Sequence, residues 1–317
     1  MRHSIWLLTL AAGLAVAKPA PKYAYPPQHF SMKGITDIKV VGVRGNLKMR
    51  GSKSRLMTLS VQHTSNRKTT DDWNLSLDRR GHTLFLEVAN VTYGKQWRKQ
   101  IKEELWPEFD IELSGPSRPA IVSWREGHLE FTNWKADLEL SYLSGQSKVH
   151  GGAGRLKVHQ SEADLEIRDW IGPVELKWQK GNVHLERCQG LAQIEGSESD
   201  LSVSGGGGEL QIELPKGRVS VAGYRGVLKG NGREANWNLD AAAPSDLNVT
   251  TGTGNVHLNW RGGAKVFLTT TDGHIKGPGL LQASVREGRK VAEGTLPGKQ
   301  IGQVFVRTAS GAISLSQ

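Results

Sequence analysis

The chain has 317 residues, of which 38 are Gly, with 37% hydrophobic content, 7% aromatic content and a formal net charge of +10. The apolar content excludes wholesale disorder, and the glycines point to many turns. A lone cysteine, Cys188, excludes an intramolecular disulfide, and the basic surplus favours anionic neighbours, namely acidic polysaccharide, lipid head groups or an envelope protein, with nucleic acid disfavoured.

The first segment reads as an export signal over 1–17. Arg2 gives a positive start, "IWLLTLAAGLAVA" a short apolar run, and Ala15-Val16-Ala17 a cleavage site before Lys18. The run is short for a membrane span, and no cysteine follows it to carry a lipid. A bacterial periplasm or cell surface is the expected location. Residues 18–33 hold Pro19, Pro21, Pro26 and Pro27 and read as an extended leader to a repeat domain over 34–317.

Within that domain, Val40, Gly45, Leu47 and Met49 form a first copy of a recurring phrase, and Leu77, His82, Leu84 and Leu86 a weaker one. The stretch "YGKQWRKQIKEELW" then puts Tyr93, Trp97, Ile101 and Leu105 at helical spacing among basic residues. It predicts a short amphipathic helix over about 94–106. Trp97, Arg98, Lys99, Ile101 and Lys102 would either lie on an anionic membrane or cover an open sheet edge.

From residue 122 the phrase is regular. Val122, Leu140, Val158, Leu176, Ile194 and Ile212 recur every eighteen residues. Five further along each stands a small residue: Gly127, Gly145, Ala163, Gly181, Ser199 and Gly217. Two alternating core positions follow, with Leu129, Ser147, Leu165, Val183, Leu201 and Val219 in the first and Phe131, Val149, Ile167, Leu185, Val203 and Val221 in the second. Period-two alternation on both sides of a bend predicts two short strands per unit. One unit buries too little apolar surface to fold alone, so the copies must share a core.

The phrase persists with slippage through Trp237, Val256 and Leu268 to Ile313 and Leu315 at the end of the chain. Between them, about 277–302 is rich in Gly, Lys and Arg and reads as an irregular loop. Just before the small residue stand Glu126, Ser144, Glu162, Lys180, Glu198, Lys216 and Glu234, in which like charges are never adjacent. Parallel stacking would make these residues neighbours, whereas antiparallel hairpins would not. The expectation is therefore an all-β fold, a parallel β-helix-like β-solenoid of about eighteen-residue coils with two short strands each, plus one helical insert.

The segments "DLNVTTGTGNVHLNW", "KVFLTTTDGHIKG" and "VFVRTASGAISLSQ" resemble the bacterial putative-adhesin family of exported, repeat-built β-proteins. The likeness covers about 110–317, with an echo at 35–50. It implies a β-solenoid with no catalytic residues to carry over; the Trp content and the basic insert near 95–105 depart from the family.

Chemistry is sparse. Asp164 and Asp200 share a column two steps apart, which is about 9.5 Å and within the range of inverting glycosidases. Both also follow a bend residue, where Asp is ordinary turn chemistry. The histidines lie on different columns and show no metal-ligand spacing, so no metal or cofactor is expected. Cys188 lacks a base partner, and "SGGGGEL" at 204–210 sits between strands with no helix to receive a phosphate. Two aromatic columns remain. Trp124, Tyr142 and Trp178 have core parity and suit corner packing. Trp134, Trp170 and Tyr224, if exposed, would form a ligand platform aided by Arg168, Lys135 and Arg225.

The function expected is a non-catalytic, adhesin-like envelope scaffold or binding protein. The alternatives are a carbohydrate-active hydrolase or lyase, and a structural protein that self-assembles edge to edge.

Overall fold

The computed structural model describes residues 22–64, 73–90, 108–243 and 245–317. The expected export signal lies outside them, as does the expected helical insert with Trp97, Arg98, Lys99, Ile101 and Lys102. The described residues are all-β, with no helix among them.

The opening part contains β1 (Lys22–Ser31), β2 (Asp37–Gly51), β3 (Leu56–Thr64), β4 (Trp73–Arg80), β5 (Thr83–Asn90) and β6 (Glu108–Gly115). Residues 22–31 of the expected leader are a strand, antiparallel to β3, which in turn runs antiparallel to β6. Residues 77–86 are the β4–β5 hairpin, turned at Gly81 with φ 65°, and only β5 joins β2 in parallel.

The regular region follows as β7 (Ala120–Trp134), β8 (Leu138–Ala153), β9 (Leu156–Ile171), β10 (Val174–Lys180), β11 (Asn182–Glu186), β12 (Gln189–Gly196), β13 (Glu198–Ser204), β14 (Gly207–Glu213), β15 (Lys216–Gly232) and β16 (Glu234–Ala242). From β7 to the first half of β15 the parallel partners lie eighteen positions apart, as in Val122↔Leu140, Leu140↔Val158 and Val158↔Leu176, and the step slips at Tyr224↔Ala241 and becomes nineteen at Val227↔Asp246. β2 joins this register from the other side, with Val40 opposite Val122.

The expected β-solenoid with two short strands per coil is nevertheless overturned. β9, β10, β12, β14, β15, β13 and β11 pair in that order and β11 returns to β9, closing a seven-strand parallel barrel with further strands outside it. Closure is possible because β9 and β15 do not break at the bend. Each runs through it and pairs on both sides. Antiparallel pairs at both ends depart further from a uniform coil.

Two turning devices bend the strands. Asn133, Gly151, Asp169, Arg187, Gly205 and Gly223 all have left-handed φ between 52° and 65°. Gly154, Gly172, Gly190, Gly208 and Gly226 have φ between 117° and 138°. A Cβ on Gly226 would stand 2.1 Å from the carbonyl oxygen of Gly208, so neighbouring chains here approach closer than any side chain permits.

The final part holds β17 (Asp246–Thr251), β18 (Val256–Arg261), β19 (Gly263–Thr270), β20 (Ile275–Lys276), β21 (Gln282–Arg286), β22 (Arg289–Leu296), β23 (Ile301–Thr308) and β24 (Ile313–Ser316). The expected loop at 277–302 is replaced by ordered β-structure. β21 and β22 form a hairpin whose two-residue turn, Glu287-Gly288, has φ of 49° and 75°, as a type I′ turn requires. β22 then runs antiparallel to β19. The chain returns to insert β23 between β17 and β19, so the last long strand is internal.

The core runs through the whole assembly, and includes Val40, Val122, Leu140, Leu176, Val249 and Val306, each at most 1% exposed. Each fully buried side chain of this size contributes about 1.5–3 kcal/mol.

Candidate binding groove

A groove of about 870 Å³ crosses β2, β7, β8, β9, β10 and β12. Its floor is one register column: Gly42, Trp124, Tyr142, Gln160, Trp178 and Gly196. Five strand steps separate its ends, roughly 24 Å. After each floor residue of β7, β8 and β10, two consecutive residues face outward, as Arg125 and Glu126 do after Trp124. That break in alternation turns the chain outward ahead of the glycine bend and makes the surface concave.

The floor side chains are buried, from 3% exposure at Trp124 to 6% at Gln160. The indole of Trp124 fills the space above Gly42, where a Cβ would lie 2.0 Å from it, and donates Nε1–H to Gly45 O at 3.1 Å. One step on, the Tyr142 hydroxyl likewise donates to Gly127 O. Burial pushes the pKa of this hydroxyl well up.

The pattern changes at the next two steps. The carbonyl equivalent for Trp178 is Ala163 O, and it already accepts from Gln160 Nε2 at 2.8 Å. Trp178 instead leans over Gly196, whose Cβ would meet its ring at 2.7 Å. Three buried polar atoms of the groove therefore lack a protein partner: Trp178 Nε1, Gln160 Oε1 and His159 Nε2. Each such atom costs about 1–3 kcal/mol if nothing satisfies it.

The walls are mostly uncharged, with Ser123, Ser141, Ser161, Gln179 and Ser197 among them and Leu143 at 48% exposure. Lys177 Nζ lies 2.9 Å from Glu195 Oε2, an ion pair one step apart that raises the lysine pKa through its hydrogen bond. Glu213 and Arg125 stand at opposite ends.

The platform read from the sequence is not on the surface. Trp134 and Trp170 are 0% exposed and Tyr224 6%. The left-handed residue before each turns the chain inward, and the Trp170 ring fills the space above Gly152, whose Cβ would lie 2.4 Å from it. Arg168 pairs with Glu166 and Glu186, the latter at 3.1 Å, while Lys135 and Arg225 are exposed beside buried rings. The column expected to pack at a corner is buried at Trp124, Tyr142 and Trp178, and it also floors the groove. The one signal in the sequence was Gln160, a polar residue at a core-parity position.

The carboxylates considered for catalysis have structural partners. Asp164 Oδ1 accepts the Asn182 backbone N–H at 2.8 Å, and Asp200 Oδ1 that of Arg218 at 3.1 Å. Each ties a bend to the next step. Cys188 is packed against the core, with burial pushing its thiol up to about 11. Among the described residues no cluster of three or more His, Cys, Asp or Glu is placed to hold a metal.

No protein-family profile and no curated protein matches the chain. Among solved structures it is similar to a "putative lipid binding protein" from Parabacteroides distasonis, at 12% identity and TM-score 0.45 over 92% of this chain and 96% of that one. A "putative adhesin" from Parabacteroides merdae gives 13% and 0.42 over the same shares. A "putative cell adhesion protein" from Clostridium sporogenes gives 12% and 0.22 over 93% and 98%. At these values the likeness establishes neither family membership nor function.

Proposed function

We propose that this protein is a non-catalytic binding protein of the bacterial envelope, and that the groove over Trp124, Tyr142, Gln160 and Trp178 holds an extended polar ligand. The observation that carries this reading is the set of three unsatisfied buried polar atoms in one groove. Native proteins pair such groups, and the exceptions call for a partner. A concave surface with a few convergent polar groups is the general form of a binding site. The apolar run over residues 5–17 supports export. The hydrogen bonds that occupy Asp164 and Asp200 argue against the hydrolase or lyase alternative.

Retention on purified cell-wall polysaccharide tests this. Ser161→Trp fills the groove without touching its floor. The native protein should be retained and the variant released; equal retention of the two would refute the groove as the site.

A further inference from the structure

Resting on that reading, we infer that the ligand is an uncharged, hydroxyl-rich chain, an oligosaccharide lying along the groove with one hydroxyl seated between Gln160 and Trp178. The two unsatisfied groups sit on adjacent steps and are complementary: an indole N–H that must donate and an amide oxygen that must accept. The amide orientation is fixed, because its nitrogen is spent on Ala163 O. A hydroxyl accepts from one group and donates to the other at once. A carboxylate or phosphodiester group can accept from Trp178 but has no proton for Gln160.

The charges of the groove agree. The Lys177 ammonium, the cation nearest these groups along the wall, is held by Glu195, and Glu213 lies beyond it. An anionic chain would meet paired or repelling charge there. The remaining wall groups are serine hydroxyls and the Gln179 amide, which match hydroxyls without demanding a charge. An extended pyranose chain also advances per unit by nearly the spacing between neighbouring strands. Successive sugars would therefore meet successive steps.

The test is calorimetric titration with β-1,4-linked hexasaccharides of glucose, N-acetylglucosamine and mannose, and with oligogalacturonate as the anionic counterpart. At least one neutral probe should bind, with little dependence on salt. Trp178→Phe and Gln160→Met should each weaken it about tenfold. The double variant should lose less than the product of the two, since one hydroxyl serves both groups. Trp178→Phe also removes ring volume and Gln160→Met also removes the donor to Ala163 O, so each variant is titrated well below its own unfolding midpoint, where lost binding is not lost folding. Salt-sensitive binding of oligogalacturonate alone, abolished by Ser161→Trp, would overturn the hydroxyl inference and leave the groove intact. Neutral binding insensitive to every groove substitution would overturn the groove itself. Binding of none of the probes would overturn the oligosaccharide assignment.

Discussion

Gly217 lies directly against Ser199: a Cβ on Gly217 would stand 1.9 Å from the Ser199 carbonyl oxygen, and its φ is +127°. The register that pairs these residues is the eighteen-residue step that builds the groove. Gly217→Ala must move one strand away from the next while adopting a backbone that L-residues avoid. A loss of about 1–3 kcal/mol from strain alone is expected, measurable by urea unfolding. Gly288→Ala also places an alanine at positive φ, but its Cβ would meet nothing within 4 Å, so the loss should be smaller.

Lys180 sits opposite Glu162 with Nζ 3.9 Å from Oε1, and Lys216 pairs with Glu198 at 2.5 Å. These groups are more than half exposed, so each pair contributes little. Lys180→Glu would put three acidic residues in one column, at 162, 180 and 198. The urea midpoint should fall at low salt and recover towards about 1 M salt, where the Debye length is near 3 Å. A deficit that does not change with salt would contradict the charge column.

The Cys188 thiol is raised to about 11 by burial. The folded state therefore binds its proton more tightly than the unfolded chain does. Its contribution to stability is fully present below the ordinary thiol pKa and is lost as pH climbs through about 11. Alkylation at pH 8 should be far slower in the native protein than in urea. Equal rates would show the thiol to be open to solvent.

Asp37 accepts hydrogen bonds from Thr83 Oγ1 at 2.6 Å and Thr36 Oγ1 at 2.7 Å, which hold its carboxyl below the usual range, the Thr83 bond contributing most. Its contribution is present above the ordinary carboxylate pKa and disappears as pH falls through the depressed value. Thr83→Val should lower thermal stability at neutral pH, with the deficit shrinking in acid. A deficit independent of pH would assign the effect to packing.

Much of the regular region was legible because side-chain alternation and the small residues at Gly127, Gly145, Gly181 and Gly217 repeat at a fixed interval. The second bend column, from Gly154 to Gly226, repeats equally but stands outside the apolar alternation and went unread. Arg187 conceals the left-handed column, since its residue type does not reveal its φ of 52°. Strand order at the ends is not encoded in periodicity at all. Val249 pairs with Val306, fifty-seven residues on, because the chain passes outward through β19 and β22 before returning. Glu287-Gly288 carries the turn signal only in its glycine, so a tight hairpin read as an irregular loop. Concavity depends on where alternation fails after Trp124, Tyr142 and Trp178, and a search for regularity passes over such failures.

The most direct test is the indole N–H spectrum of ¹⁵N-tryptophan-labelled protein, with the Trp178 signal identified by its loss in Trp178→Phe. During titration with the tightest-binding neutral hexasaccharide, the Trp178 signal should shift progressively while those of Trp134 and Trp170, buried at a separate bend outside the groove lining, stay fixed. Movement of Trp134 or Trp170 with Trp178 unchanged would place binding elsewhere and contradict the groove.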